Sequence, residues 1–158
     1  MCGVPFHAAD GYINRLVKKG YKVAICEQVE DPKLAKGIVK REVIRVVTPG
    51  TNIDMQSLDE AKNNYLMCIV YLADKYGIAT TDVTTGDFFV TEVDSERKLL
   101  DELNRFAPSE IICNEPFYMS GIDIEDMKNR MNIAVSSLDS WYFGDETARE
   151  TIRMHFHI

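Results

Sequence analysis

The sequence predicts an α/β protein in which a mixed β-sheet with covering helices follows a smaller α+β module. Three strand-like runs within residues 64–93 are separated only by tight turns, which is the pattern of an antiparallel meander. Helical and strand-like segments then alternate up to residue 156, and crossovers of this kind place helices over the faces of a sheet. With 46% hydrophobic residues in 158, the chain is long and apolar enough to bury a core.

The first module is predicted as a helix followed by two strands. Apolar side chains recur at helical spacing over 8–19, and Lys18-Lys19-Gly20 supplies the cations and the glycine that favour a helix C-terminus. Residues 21–26 form a compact apolar strand. Residues 39–47 form a second β-rich run after a loop.

A break in the pattern separates this module from the next. Thr48-Pro-Gly-Thr51 ends the second strand sharply, and the residues after it are mostly polar, with a short helix predicted around 58–62. We therefore predict a first domain over 1–47, a linker over 48–60 and a second domain over 61–158.

The second module opens with the meander. Strands are predicted over 64–72, 76–83 and 87–93, with turns over 74–77 and 84–87. A helix follows, which Asp94 or Ser95 caps and which stops before Pro108. Its predicted apolar face comprises Leu99, Leu100, Leu103 and Phe106.

The rest of the second module alternates strand and helix. The predicted elements are a strand over 110–113, a helix over 122–131, a strand over 132–135, and a final helix that Asp145 caps and that runs through Phe156. The resulting order, β-β-β-α-β-α-β-α, is that of ribonuclease-H-like folds, in which later strands join a meander in one mixed sheet.

A metal-dependent nuclease is the alternative function that this fold class raises. Two-metal phosphoryl chemistry needs two or more carboxylates that converge on ions about 4 Å apart. In this fold one of them projects from the first strand, yet Tyr65-Leu-Met-Cys-Ile-Val-Tyr-Leu72 contains no acidic residue. Asp82 and Asp87 flank the second turn, where acids also serve ordinary turn chemistry. A non-catalytic domain without a metal site is therefore the favoured interpretation.

Other patterns that carry chemistry are weak. The four cysteines, Cys2, Cys26, Cys68 and Cys113, include no C-x-x-C pair, and three lie in apolar runs, so reduced and buried thiols are expected. His155 and His157 could share a face, but a metal site needs further ligands. No phosphate-binding glycine motif occurs. The longest apolar run, residues 65–73, is too short to span a bilayer.

Charge is divided unevenly along the chain. The net charge is −7, but residues 1–50 hold 9 Lys and Arg against 5 Asp and Glu, whereas the remaining residues hold 9 against 20. Cations on a loop and strand can neutralise DNA phosphates without reading base sequence, although such a cluster is also typical of a solvated surface. The candidate DNA-binding residues are Lys33, Lys36, Lys40, Arg41 and Arg45.

An ordered series of motifs resembles the MutS family of mismatch-repair proteins and covers essentially the whole chain. In the first module it comprises Cys2-Gly-Val-Pro-Phe-His7, Leu16-Val-Lys-Lys-Gly20, Val23-Ala-Ile-Cys-Glu-Gln28, Asp31-Pro32 and Val46-Val-Thr-Pro-Gly-Thr51. In the second it comprises Gly77-Ile-Ala-Thr-Thr-Asp82, Thr85-Gly86-Asp87, Pro108-Ser-Glu-Ile-Ile112 and Thr147-Ala148-Arg149.

The resemblance implies a division of labour. Residues 1–47 would be the C-terminal part of a mismatch-binding domain, and residues 61–158 a C-terminally truncated connector domain, ribonuclease-H-like but without nuclease chemistry. The family's Phe-x-Glu wedge would precede residue 1, and Phe6 is not its equivalent. Lever, clamp and ATPase domains would follow residue 158. ATP and magnesium would belong to that ATPase domain, so neither a cofactor nor enzyme activity is expected of the present residues.

The resemblance also implies partners and contact residues. Mismatched DNA, MutL, other domains of the same protein and a second subunit are the expected partners, in the cytoplasm and with no role for a membrane. Arg41 matches a basic position on the DNA-facing side. The MutL contact falls at Arg149, Glu150 and Thr151, with Arg153 further along the same helix. We expect the apolar flank of that helix, Ala148, Ile152 and Phe156, to pack on the sheet.

Overall fold

The computed structural model describes residues 3–35, 37–53 and 63–158. These residues form a helix with a two-stranded ribbon, and a five-stranded mixed sheet with its helices. The short helix predicted around 58–62 lies outside the described residues. Among the helices that are described, none has the length and apolar character needed to cross a membrane.

The first module contains the predicted helix and two antiparallel strands. Its elements are α1 (Ala9–Val17), preceded by a 3₁₀ turn (Phe6–Ala8), then β1 (Val23–Gln28) and β2 (Arg41–Val47). The register shifts between Ile25 and Cys26, where β2 bulges. Among the module's described residues, the buried hydrophobic side chains are Val17 and Val47 alone. The ribbon therefore has little core of its own.

The second module forms one sheet with the strand order β5-β4-β3-β6-β7. Its elements are β3 (Tyr65–Leu72), β4 (Lys75–Asp82), β5 (Phe88–Val93), α2 (Glu96–Phe106), β6 (Glu110–Cys113), α3 (Glu115–Tyr118), α4 (Ile124–Asn129), β7 (Ala134–Ser137) and α5 (Asp145–Phe156). The first three strands are antiparallel, while β6 pairs parallel with β3 and β7 pairs parallel with β6. The predicted α/β class, with a meander followed by crossovers, is confirmed.

The core lies on one face of this sheet, beneath α2, α3 and α4. The fully buried side chains that form its centre are Met67, Ile69, Leu99, Leu103, Ile111, Cys113 and Phe117. Full burial of a large apolar side chain stabilises the fold by about 1.5–3 kcal/mol. Leu100, which the sequence analysis assigned to the apolar face of α2, is exposed, because Leu99, Leu103 and Phe106 define a stripe one position away from it.

The first turn of the meander differs from the prediction over 74–77. Ala73 and Asp74 form a two-residue loop with φ angles of 50° and 60°, and Gly77 lies inside β4 opposite Val70. Two-residue loops with both φ angles positive twist in the same sense as the strands they join, so β3 and β4 pair without a gap. A short helix, α3, was also not predicted; the Asn114 side chain caps it by accepting the Phe117 N–H.

The final helix departs from two expectations. Gly144 is its N-cap, and Asp145 is the first helical residue, with its carboxylate paired to Arg149 rather than capping the backbone. The prediction that the apolar flank packs on the sheet is wrong, since Ile152 is 50% and Phe156 52% exposed. A ring contact with the sheet remains at Phe156, whose ring centroid lies 6.4 Å from that of Phe88 in β5. Within the described residues the helix therefore stands on the edge of the sheet with all of its side chains accessible.

The thiols are also less uniformly buried than predicted. Cys113 is buried and Cys68 partly buried, and burial raises the pKa of both, to about 11 for Cys113. Cys26 is exposed and lies in β1, of which only Val23 and Ile25 are partly buried.

Candidate functional site

The loop after β2 is seated on the sheet rather than free. Thr48 and Thr51 close a 3₁₀ turn over Pro49–Thr51, with the Thr48 N–H donating to Thr51 Oγ1 at 3.0 Å and the two hydroxyls 2.7 Å apart. Pro49, Gly50 and Asn52 are buried. The first residues of the predicted linker therefore form a packed contact between the two modules.

Asn64 ties this loop to the start of the sheet. Its carboxamide nitrogen donates to the Pro49 carbonyl at 2.9 Å and to the Asn52 carbonyl at 3.2 Å. Its carboxamide oxygen accepts the Ser109 hydroxyl at 2.6 Å. Since Ser109 directly precedes β6, one buried side chain joins the loop, β3 and β6. Buried polar groups that are fully satisfied in this way specify a single arrangement.

Glu110 forms the second tie. The side chain is 2% exposed, accepts the Gly50 N–H at 3.1 Å and lies 3.5 Å from Lys22 Nζ. Lys22 also donates to Ser136 Oγ at 3.0 Å, which reaches β7. Gly50 must be glycine for this approach, because a Cβ there would lie 2.9 Å from Leu66 Cβ and 3.1 Å from Glu110 Cβ. We call the contacts of Lys22, Gly50, Asn64 and Glu110 the junction.

The junction is not among the predicted sites. Thr48-Pro-Gly-Thr51 predicts a break in the pattern, but two threonines three positions apart are also the spacing of a closed 3₁₀ turn. Glu110 lies in a predicted apolar strand, and a lone acid in such a strand is a signal for a buried partner.

The predicted DNA-binding cations are spread over the ribbon. Lys33, Lys40, Arg41 and Arg45 are exposed, while Lys36 lies outside the described residues. Lys40 Nζ is paired with Glu42 at 2.6 Å. Arg41 is opposite Gln28 and Arg45 opposite Ile25, and the bulge leaves these two arginines on opposite faces. The structure therefore does not bring the cluster together on one face.

The acids of the nuclease alternative have structural partners. Asp82 is buried at the end of β4, where it accepts the Thr84 N–H at 2.8 Å, the Thr84 hydroxyl at 2.6 Å and the Asn64 N–H at 2.9 Å. Burial alone would raise the pKa of Asp82, but these hydrogen bonds outweigh it and hold the pKa below its ordinary 3.8. Asp87 accepts the Thr85 hydroxyl at 2.9 Å. In the described ranges no three His, Cys, Asp or Glu side chains converge as a metal site would require.

The residues predicted to contact MutL lie on the exposed surface of α5. Arg149 Nε donates to Asp145 Oδ2 at 2.9 Å, and this hydrogen bond raises the pKa of Arg149. The Thr151 hydroxyl donates to the Thr147 carbonyl at 2.8 Å. Glu150 and Arg153 are exposed. Directly before α5, the rings of Trp141 and Tyr142 stack 3.6 Å apart and are accessible, a feature that the sequence analysis did not single out.

The fold and the junction can be set beside known proteins. The model of MutS domain I matches residues 1–56, and that of MutS domain II matches residues 64–158. The chain is 60% identical over 158 residues to the DNA mismatch repair protein MutS of Lachnoclostridium phytofermentans and 52% identical over 159 residues to that of Ruminiclostridium cellulolyticum. These alignments cover 100% and 99% of this chain, but only 17% and 18% of the two relatives. The chain belongs to the MutS family and carries sequence of its domains I and II.

Proposed function

We propose that the chain is the part of a DNA mismatch repair protein in which a mismatch-binding domain is joined to a non-catalytic connector. The observation that carries this proposal is the junction, in which the buried carboxylate of Glu110 and the carboxamide of Asn64 hold the loop after β2 on the sheet. A displacement of the ribbon can reach β6 through these contacts, because the hydrogen bonds between the loop and the sheet are direct, at 2.9 and 3.1 Å. Relay between DNA contacts and the rest of the protein is the role that such rigid coupling suits.

The connector reading also draws on the strand order. A three-stranded meander extended by two parallel strands in the order β5-β4-β3-β6-β7 supports a ribonuclease-H-like domain spanning 61–158, with residues 1–47 as the neighbouring domain and 48–60 between them. The absence of an acid in β3, together with the hydrogen bonds that occupy Asp82, supports a domain without nuclease chemistry. Mismatched DNA, a second subunit, and an ATPase domain with its ATP and magnesium belong to the proposal for the whole protein.

Docking of MutL is proposed for the charged surface of α5. Arg149, Glu150, Thr151 and Arg153 are accessible on one helix, and charges at the rim of an interface mainly set encounter rate and register. The exposed Trp141 and Tyr142 beside the start of this helix add the aromatic surface that interfaces favour.

The test of the connector role is Glu110→Gln in the full-length protein. The substitution keeps the shape of the side chain but removes the charge that faces Lys22. We expect mismatch affinity to change little and the effect of a mismatch on ATP turnover to fall about fivefold, the lower end of ordinary coupling between sites. Glu92→Gln is the matched control, since it removes only an exposed pair with Lys75. Equal mismatch-dependent turnover in the two variants would contradict the proposal.

A further inference from the structure

A cavity lies between the first module and the free edge of the sheet. It has a volume of about 320 Å³ and is bounded by the turn between α1 and β1, by the end of α4 and by β7. Its polar lining consists of Lys19, Lys22, Lys128, Asn129, Asn132 and Ser136. It borders a second hollow of about 180 Å³ that shares Gly20 and Asn132 with it and adds Lys18. Lys22 of the junction lines this groove, whereas Gly50 and Glu110 do not.

The lining has an excess of positive charge and hydrogen-bond donors. Three lysines line the cavity, and none of the described acidic residues does. Lys22 is 3.5 Å from Glu110, whose carboxylate already accepts the Gly50 N–H, and Lys128 is 3.8 Å from the exposed Glu125. Within the part of the chain that is described, the Lys19 ammonium and the carboxamides of Asn129 and Asn132 have no partner. These donors are available to a ligand that offers only acceptors.

The backbone adds another donor to the groove. β7 is the edge strand of the sheet; its Ala134 N–H donates to the Ser109 carbonyl just before β6, and the Leu138 N–H, just beyond β7, donates to the Cys113 carbonyl. Alternation along the strand turns the Val135 N–H away from β6, at the open edge of the sheet, and Val135 is among the residues that line the cavity. The Ser136 hydroxyl accepts from Lys22 and keeps its own hydrogen free to donate.

We propose that this groove binds a phosphate group. A phosphate presents acceptor oxygens around a compact negative charge, which matches the three lysines of the lining supplemented by amide and hydroxyl donors. A carboxylate would satisfy fewer of them. The phosphate is supplied either by a small phosphate-bearing molecule or by the backbone of bound DNA, and both offer anionic non-bridging oxygens to the lining.

The test compares a groove variant with a matched control in the complete chain. Lys19→Gln combined with Lys128→Gln removes two ammonium groups but leaves Lys22 and its contact with Glu110 intact. The control, Lys75→Gln combined with Lys98→Gln, makes the same change in net charge at exposed pairs elsewhere on the second module. Thermal melts of both variants establish that they are folded.

The first arm titrates each variant with pyrophosphate and follows binding by calorimetry and by the side-chain amide resonances of Asn129 and Asn132. We expect the groove variant to bind about tenfold or more weakly, while the control stays near the parent chain. The proposal would be overturned if the parent chain did not bind pyrophosphate and the groove variant bound duplex DNA as well as the parent chain does. It would also be overturned if the groove and control variants lost equal affinity.

The second arm distinguishes the two sources of phosphate. If DNA supplies it, the slope of log duplex affinity against log salt concentration should decrease in magnitude by about one for each lysine removed. The control variant should show a smaller change in this slope. If a small molecule supplies it, duplex affinity is the same in groove and control variants while pyrophosphate binding differs.

Discussion

The ribbon of the first module and the sheet of the second differ in how much hydrophobic surface they bury. The sheet encloses a continuous core in which Ile69, Ile111 and Phe117 are completely buried, whereas the described part of β2 is exposed except at Val47. A two-stranded ribbon whose apolar side chains are mostly exposed is marginally stable by itself. The ribbon therefore depends on its attachment at the junction, whereas the sheet has a hydrophobic core of its own. This difference separates the residues that determine stability from those that determine how the modules are coupled.

The largest expected effect contrasts the two regions with one substitution. Ile69 in β3 is 0% exposed and Ile44 in β2 is 54% exposed. We expect Ile69→Ala to lower the free energy of unfolding by about 2–5 kcal/mol, because it leaves a cavity in the core. Ile44→Ala should change it by about 0.5 kcal/mol or less. Urea unfolding of both variants measures the difference, and similar losses would mean that the ribbon carries a core of its own.

The next largest effect is expected at Asp82, as a dependence of folding stability on pH. Because the pKa of Asp82 is lower in the folded state, the ionised carboxylate stabilises the fold above the ordinary value of 3.8, and that contribution is lost as pH falls through the folded pKa. Asp82→Asn should lower the free energy of unfolding by about 1–3 kcal/mol at neutral pH, since it leaves the buried Asn64 and Thr84 donors poorly matched.

The measurement is stability across pH for the parent chain, Asp82→Asn and the surface control Asp87→Asn. The gap between the parent chain and Asp82→Asn should narrow below about pH 4. A gap that stays constant down to that pH would show that the carboxylate acts only through its shape.

Substitution of two glycines compares the junction with an exposed position in the first module. At Gly50 an added Cβ meets Leu66 Cβ at 2.9 Å, whereas at Gly11 in α1 nothing lies within 4 Å. Gly50→Ala should cost about 1–3 kcal/mol by displacing the loop from the sheet. Gly11→Ala should be neutral or stabilising by up to about 1 kcal/mol, since alanine favours a helix. Amide hydrogen exchange in β1 and β2 should accelerate in Gly50→Ala and not in Gly11→Ala. Unchanged exchange in Gly50→Ala would show that the loop does not hold the ribbon on the sheet.

The smallest effect on stability is expected on α5, which is as exposed as the ribbon although it belongs to the second module. Exchanging the charges at Glu150 and Arg153 should alter the free energy of unfolding by about 0.5 kcal/mol or less. In the full-length protein the same double variant should weaken capture of MutL. A charge exchange at the exposed pair of Asp94 and Lys98 is the control. Undiminished capture by the α5 variant would argue against this surface.

The sequence predicted features that local pattern determines and missed those that arise between distant residues. The strands of the meander and helix α2 follow from alternation and helical spacing, and both are present. The junction joins Gly50 to Glu110 across 60 positions, and hydrogen bonds of this kind leave no periodic signal. The first turn was misplaced because Gly77 attracted the prediction, while the chain accepts positive φ at Ala73 and Asp74 instead. Likewise, spacing identified an apolar flank on α5 but could not reveal that the flank stays exposed.

The packing of Gly50 against Glu110 also constrains the order in which parts of the chain can come together during folding. Glu110 is the first residue of β6, and β6 takes its place beside β3 only after the α2 crossover has closed. During synthesis from the N-terminus, the loop at Pro49–Thr51 therefore emerges well before the surface that receives it exists. The ribbon is therefore synthesised before the sheet surface that holds it.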